Sequence, residues 1–311
     1  MVEIKEVSYK TFGKCVRISN GCAIVYITTD IGPRIINYSL EGCENMMFEN
    51  ESRSISNDGE DFDLYYGKDS AWYIYGGHRL WTSPEARPRS YYPDNEPVKY
   101  EKIENGIRLL CDEQKRNMYK YTIEVTMDEN SSDVRVVHKI TNTGAFDAEF
   151  AAWALSVTDT GGMAAVPVPT RETGLLANRA IALWPYAKMT DKRVYWGDRF
   201  ITLTQDKNVK EAFKLGINNE DGYVLVFNHD CLFIKKYDHI MGAKYPDGGM
   251  SFETYTNEHF LEAETLSPLY SVKPGETIEH IENWSLFKEV KRPAANDEKA
   301  LSEICNKYVG K

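Results

Sequence analysis

The stretch from Trp72 to Pro97, WYIYGGHRLWTSPEARPRSYYPDNEP, gathers aromatic rings, a glycine pair, one histidine and several charges into a segment too irregular for a simple strand. Loops of this kind tend to carry function. His78 can exchange a proton near neutral pH, Arg79 can donate a fork of hydrogen bonds, and Trp81 offers a flat face. Gly76 and Gly77 permit close backbone approach. Sugar recognition uses this mixture, because C–H faces stack on aromatic rings while hydroxyls take directional hydrogen bonds. The plainer reading packs Trp72, Trp81 and the tyrosines under a loop and leaves His78 hydrogen-bonded to backbone.

A second segment, Phe252 to Trp284, holds Glu262 and Glu264 within the apolar neighbours Phe260, Leu261, Ala263 and Leu266. Two residues apart on a strand, both carboxylates point to one face about 6.6 Å from each other. Buried carboxylates have either chemistry or partners. The separation falls in the range of inverting glycosidases, but those pairs flank the substrate from opposite sides and seldom share one strand. Lys235 in FIKKYD and Asp247 in YPDGG are secondary candidates for substrate contact, with a salt-bridge role as the competing reading.

The elements that must position these residues read as strands. Tyr121, Ile123 and Val125 alternate with polar residues, Ile107, Leu109 and Cys111 precede them in the same rhythm, and Val134, Val136 and Ile140 follow until Asn142, Thr143 and Gly144 supply a turn. FAAWALSVT then begins a more buried strand, and YVLVF and CLFIKKY flank a hairpin turn in which His229 has only a turn role. Few helical periods intervene, which excludes a parallel α/β sheet and favours antiparallel sandwiching. One helix is expected over residues 296–309, where Ala300, Leu301, Ile304, Cys305 and Tyr308 recur at helical spacing after a capping candidate at Asn296. Residues 51–70 are expected to form a long surface loop. A single domain spanning 1–311, with its core over about 12–287, fits this pattern.

With 47 acidic against 37 basic residues the net charge is −10, which disfavours nucleic acid and anionic membrane partners unless a basic patch is segregated, and no run of basic residues supplies one. No window approaches the roughly 18 apolar residues of a membrane span, and the N-terminus has no apolar signal core, so a cytoplasmic location is expected. Six cysteines without a CxxC pair read as buried free thiols. Neither a metal nor a cofactor is expected; the expected partner is a small carbohydrate, and the oligomeric state stays open.

LEAETLSPL followed by VKPGE, the opening SNGCAIVYITTDIGPRIINYSLEGCENMMFEN and the HKITNTG strand together resemble the galactose mutarotase-like superfamily, which includes the aldose 1-epimerases. The resemblance spans roughly residues 12–287, with Pro33 where the family's GARI-type turn has alanine. It implies an all-β supersandwich with a sugar cleft across one sheet and a peripheral C-terminal helix. It also implies a glutamate, here Glu264, that takes the proton of the anomeric hydroxyl while an acid protonates the ring oxygen. Where epimerases carry the acid histidine in an NHxYFNL-type strand, this chain has AAWALSVT with Trp153, and an indole supplies no titratable proton. The expectation is therefore Glu264 as base and His78 as acid, with Arg79, Trp81, Trp153, Lys235 and Asp247 contacting the sugar. Two alternatives stay open: a sugar-binding protein without turnover on the same scaffold, and a glycosidase- or lyase-related sandwich.

Overall fold

The computed structural model describes residues 1–310. Strands with one apolar phase must bury it against a second layer, and here two large antiparallel sheets do so. The eleven-stranded sheet starts from Glu3–Ser8 at one edge and passes through Ile35–Leu40, Gly77–Ser83, Ala148–Thr158, Leu261–Leu266, Phe252–Thr256 and Phe213–Ile217 to Ile181–Leu183. The ten-stranded sheet carries Tyr223–Asn228, Cys231–Tyr237, Thr277–Lys288, Val134–Asn142 and Tyr119–Met127 through its middle. Both sheets draw strands from distant parts of the chain, and one apolar core cluster between them runs from Val16 to Leu286.

The alternation read from the sequence holds in detail. Val134, Val136 and Ile140 point into the inter-sheet core, as do Ile278, Trp284 and Leu286 of the partner strand. His229 and Asp230 both have positive φ (49° and 52°) and close the hairpin between Asn228 and Cys231, the geometry of a two-residue turn matched to strand twist. The C-terminal helix, Glu298–Tyr308, is capped by the Asp297 side chain accepting from the Ala300 N–H rather than by Asn296. Leu301, Cys305 and Val309 pack on the outer face of the ten-stranded sheet against Leu225, Phe227 and Ile234.

Three expectations need correction. Residues 51–70 are not wholly loop: Glu60–Tyr66 forms a short helix between Gly59 and Gly67 that buries Phe62 beside Trp72. Its acidic first turn and flanking glycines mask an apolar Phe62–Tyr66 pair at i, i+4. The cysteines are free, but Cys22 is exposed and Cys43 and Cys111 half-buried. Gly76 and Gly77 serve the approach of protein backbone and not of a ligand: a Cβ on Gly76 would lie 1.9 Å from the Phe48 carbonyl oxygen, and one on Gly77 would lie 2.3 Å from that of Ile35.

Candidate functional site

Strand register decides which candidates share a face. In Gly77–Ser83, Leu80 points into the inter-sheet core and Trp81 away from it; in Ala148–Thr158, Ala152 points in and Trp153 and Leu155 out; in Leu261–Leu266, Ala263 points in and Leu266 out. Period-2 alternation then puts Arg79, Trp81, Trp153, Leu155, Glu262 and Glu264 on the outer face, and His78, Ser156 and Thr265 on the inner one. Arg79, Leu155, Glu264 and Glu253 are successive cross-strand neighbours, and Val157, Glu262, Tyr255 and Lys214 form the next row.

The outer face opens into a cleft whose empty space, with the open solvent at its mouth included, is about 900 Å³. Its aromatic wall is Trp72, Trp81, Trp153, Trp184, Tyr91, Tyr186 and Tyr255, and its polar groups include Arg79, Lys214, Glu85 and Glu262. Arg79 lies over the Trp81 ring, its Cζ 4.2 Å from the ring centre, and donates from both terminal nitrogens to Glu262 Oε1 at 3.1 and 3.2 Å. Lys214 Nζ sits between the rings of Trp153 and Trp184, 4.6 Å from each, and donates to Glu264 Oε2 at 2.9 Å. The same ammonium lies 2.7 Å from Glu253 Oε2, so Lys214 bridges the two buried carboxyl groups and only Glu253 Oε1 is left without a partner. Trp153 Nε1 donates to Glu264 Oε2 at 2.9 Å, leaving Glu264 Oε1 without a donor.

Charge states follow from burial. Burial raises Glu262 to about 7 against the opposing pull of Arg79, with Glu264 adding to the rise. Burial also raises Glu253 well above the usual carboxylate range, Lys214 opposing and Glu264 and Asp247 reinforcing. Burial alone would lower Lys214, but Glu253 and Glu264 more than offset it and hold the ammonium well above its ordinary value.

Of the residues singled out from the sequence, Arg79, Trp81 and Trp153 line this cleft. Asp247 lines its adjoining lobe together with Glu85, Glu253 and Trp184, and accepts from Ser83 Oγ at 3.3 Å. Glu264 is fully buried and lies beneath Trp153 and Lys214, so of the two glutamates on this strand it is Glu262 that reaches the wall.

His78 and Lys235 lie elsewhere, which corrects both expectations. His78 is on the opposite face of its sheet from Glu264, fully buried in the inter-sheet core, and acid and base must reach one sugar ring to act together. Burial, reinforced by the Lys235 charge, also holds its imidazole neutral by lowering its pKa well below the ordinary value. Lys235 is 0% exposed and cannot touch a ligand in the cleft.

These two belong to a polar network between the sheets. His138 Nδ1 must donate to the His280 carbonyl (3.0 Å), so its Nε2 is an acceptor and takes the proton of His78 Nε2 at 2.7 Å. Ser156 Oγ then donates to His78 Nδ1 (2.9 Å) and accepts from Lys235 Nζ (3.0 Å). Lys235 also donates to the carbonyls of Ala154 and Ala263, and lies 2.8 Å from Glu282 Oε1. Trp284 Nε1 and the Thr265 hydroxyl complete the donors to Glu282, while His280 donates to Thr265 Oγ1. Burial takes His280 down to about 3.

His78, His138 and Glu282 bring ligand-type atoms within 4.8 Å of one another. A shared metal does not fit them, because the two Nε2 atoms already share a proton at 2.7 Å and Glu282 is neutralised by Lys235.

Lys214, Glu253 and Trp184 escaped the sequence reading, although a lone lysine in FKLGI and a lone glutamate in FETYT are charges inside apolar strands. His138, His280 and Glu282 were legible in the same way: in the run Ile278, His280, Glu282, Trp284, Leu286 the polar residues occupy the apolar phase of the strand.

No family model matches the chain, and no curated protein does. Solved structures share its fold at low identity. A candidate aldose 1-epimerase from Klebsiella pneumoniae subsp. pneumoniae superposes with a TM-score of 0.61 at 14% identity, covering 99% of this chain and 87% of its own. Galactose mutarotase-like proteins from Lactobacillus casei (TM-score 0.57, 9% identity, 88% and 100% covered) and Clostridium acetobutylicum (0.54, 10%, 92% and 99%) superpose similarly. The chain therefore has the galactose mutarotase-like β-sandwich fold. Among the described residues no helix is long and apolar enough to cross a membrane.

Proposed function

We propose that the chain binds a carbohydrate in the cleft across the eleven-stranded sheet, on a scaffold of the aldose 1-epimerase type. The observation that carries this reading is the wall itself: four tryptophans and three tyrosines surround Arg79, Lys214 and Glu262 in one concavity. Apolar ring faces beside a few fixed polar groups match the amphipathic faces of a pyranose. Solved structures that share the fold are named for mutarotases and aldose 1-epimerases, which supports a sugar as the ligand. Titration of monosaccharides against the native tryptophan fluorescence tests it; no spectral change and no saturation-transfer NMR signal across a broad sugar panel would overturn it.

Anomer interconversion is the second reading, and Glu262 favours it. A carboxyl raised to about 7 on the wall is half ionised near neutrality and suited to taking the anomeric proton. Exchange NMR across free aldoses decides between the readings, since turnover accelerates exchange and simple binding leaves its rate unchanged. In either reading Glu264 anchors Lys214 and Trp153 from below.

A further inference from the structure

The concavity on the outer face does not end with the main cleft. It continues into the adjoining lobe, and Asn57, Glu85, Tyr91, Trp153 and Trp184 line both. Strand register gives its extent. Val157 pairs with Glu262 and Trp153 with Leu266, so the row that carries Glu262 lies about 13 Å along the sheet from the row that carries Trp153. Pro84, Ala86 and Arg87 carry the lobe further in that direction, past the end of Gly77–Ser83.

The exposure of the rings divides the wall in the same way. Trp72, Trp81 and Trp153 are only 3, 6 and 3% exposed and offer little surface to a ligand, whereas Tyr91, Trp184 and Tyr255 are half-buried and Tyr186 is 45% exposed. Tyr186 and Tyr255 line the main cleft alone, 6.4 Å apart and edge to face, on the side of Glu262 and Asn257. Tyr91 and Trp184 reach into the lobe, where Tyr91 is braced edge-on by Trp72 and Trp81 at 5.3 and 4.9 Å. Open aromatic surface therefore stands in two places along one continuous groove.

A pyranose ring beside Glu262 covers the first place and leaves the second in water. The lobe also presents Asn57, Glu85 and Asp247, whose amide and carboxylate oxygens accept from hydroxyls. A second ring linked to the first removes the remaining apolar surface from water without a second loss of translational freedom. A phosphate or carboxylate in the lobe would instead meet Glu85 and Asp247, and the lobe's cation, Arg87, is committed to Asp61 and Asn57 at 2.7 and 2.8 Å.

We infer that the ligand of this site is an oligosaccharide of at least two neutral rings, the first in the main cleft beside Glu262 and the second in the lobe against Tyr91 and Trp184. This rests on the carbohydrate reading above.

The test is calorimetric titration of the full chain with glucose, galactose and mannose, each as the free sugar, as its methyl glycoside and in α- and β-linked disaccharides. At least one disaccharide is expected to bind about tenfold or more tighter than its component monosaccharides, because the second ring binds as a tethered group. The methyl glycosides separate a second ring from the mere blocking of an anomeric hydroxyl, and a methyl glycoside that gains as much as the disaccharide overturns the inference. Ala86→Trp fills the lobe from its half-buried rim and is expected to abolish the gain while monosaccharide affinity stays within about twofold. Asp247 is exposed, so Asp247→Asn, which is expected to reduce the gain, keeps the test open if Ala86→Trp fails to fold. Equal affinity for disaccharides and monosaccharides, or a gain that survives in both variants, overturns the inference and leaves the carbohydrate reading standing. No binding of any sugar overturns both.

Discussion

Replacing Lys235 by Met keeps the length of the side chain and removes its charge from the centre of the inter-sheet core. Lys235 and Glu282 are both 0% exposed and 2.8 Å apart, and the lysine also donates to Ala154 O, Ser156 Oγ and Ala263 O at 3.1, 3.0 and 2.9 Å. The substitution strands Glu282 without a counter-charge and removes a donor from the hydroxyl that orients His78. Breaking one side of a buried pair costs roughly 3–5 kcal/mol, so about 4 kcal/mol is expected, a shift of more than about 1 M in a urea midpoint. The double variant Lys235→Met with Glu282→Gln leaves neither charge buried alone. The introduced amide can still accept from Trp284 Nε1, and about half of the loss is expected back.

The pH dependence has a definite sign. In the native protein Glu282 is held below its ordinary value: burial raises it, and Lys235 with the two histidines more than offsets that rise. Its stabilisation is therefore present above the unfolded pKa and lost as pH falls through the folded one. Without Lys235 the effect of burial prevails, the folded pKa rises above the unfolded value, and the variant instead loses stability as pH rises. The gap between native and variant should narrow toward pH 4. A single-variant cost below about 1 kcal/mol, or singles that add without coupling, would refute the network as drawn.

Four further outcomes can be checked. Trp153→Phe removes the indole N–H to Glu264 and part of the stacking wall, and should weaken sugar binding by about tenfold in fluorescence titration while costing about 1–2 kcal/mol in stability. Glu262→Gln removes a group whose folded pKa is raised from 4.5 to about 7, so native stability is lost as pH rises through that window and the variant's is not. Relative to native, the variant should gain on the order of 3 kcal/mol between pH 4.5 and pH 8 in paired denaturation curves, and a flat difference would contradict the assignment. Glu264→Gln should cost about 1–3 kcal/mol, because both of its donors lose a charged acceptor. If the protein interconverts anomers, this variant should keep more activity than Glu262→Gln in exchange NMR; the reverse order would return the base role to Glu264.

The strand alternation in YTIEVTM and VRVVHKI, the helix beginning near Asp297 and the hairpin at His229 were all legible in the sequence, because burying one face of a strand imposes period 2 and tight turns demand particular residues. The same period separates His78 from Arg79 and Trp81, but the segment reads as too irregular for a strand, and the expectation therefore put all three in one site. A segment crowded with functional residue types made neighbours look like partners, and only the orientation of Gly77–Ser83 between Ile35–Leu40 and Ala148–Thr158 showed which of them meets the cleft.

What the chain alone could not supply is pairing at a distance. Lys214 comes to Glu253 and Glu264, Arg79 to Glu262, and Lys235 to Glu282 through cross-sheet neighbours or facing sheets separated by tens to well over a hundred residues. A buried charge announces itself in sequence as a polar residue on an apolar phase. Whether it is a sealed ion pair, like Lys235 with Glu282, or part of a ligand wall, like Glu262, depends on which side of a sheet is covered by another layer. The closure of one sheet on the other decided that: it seals the inner faces, while the outer face of the eleven-stranded sheet stays open at the cleft.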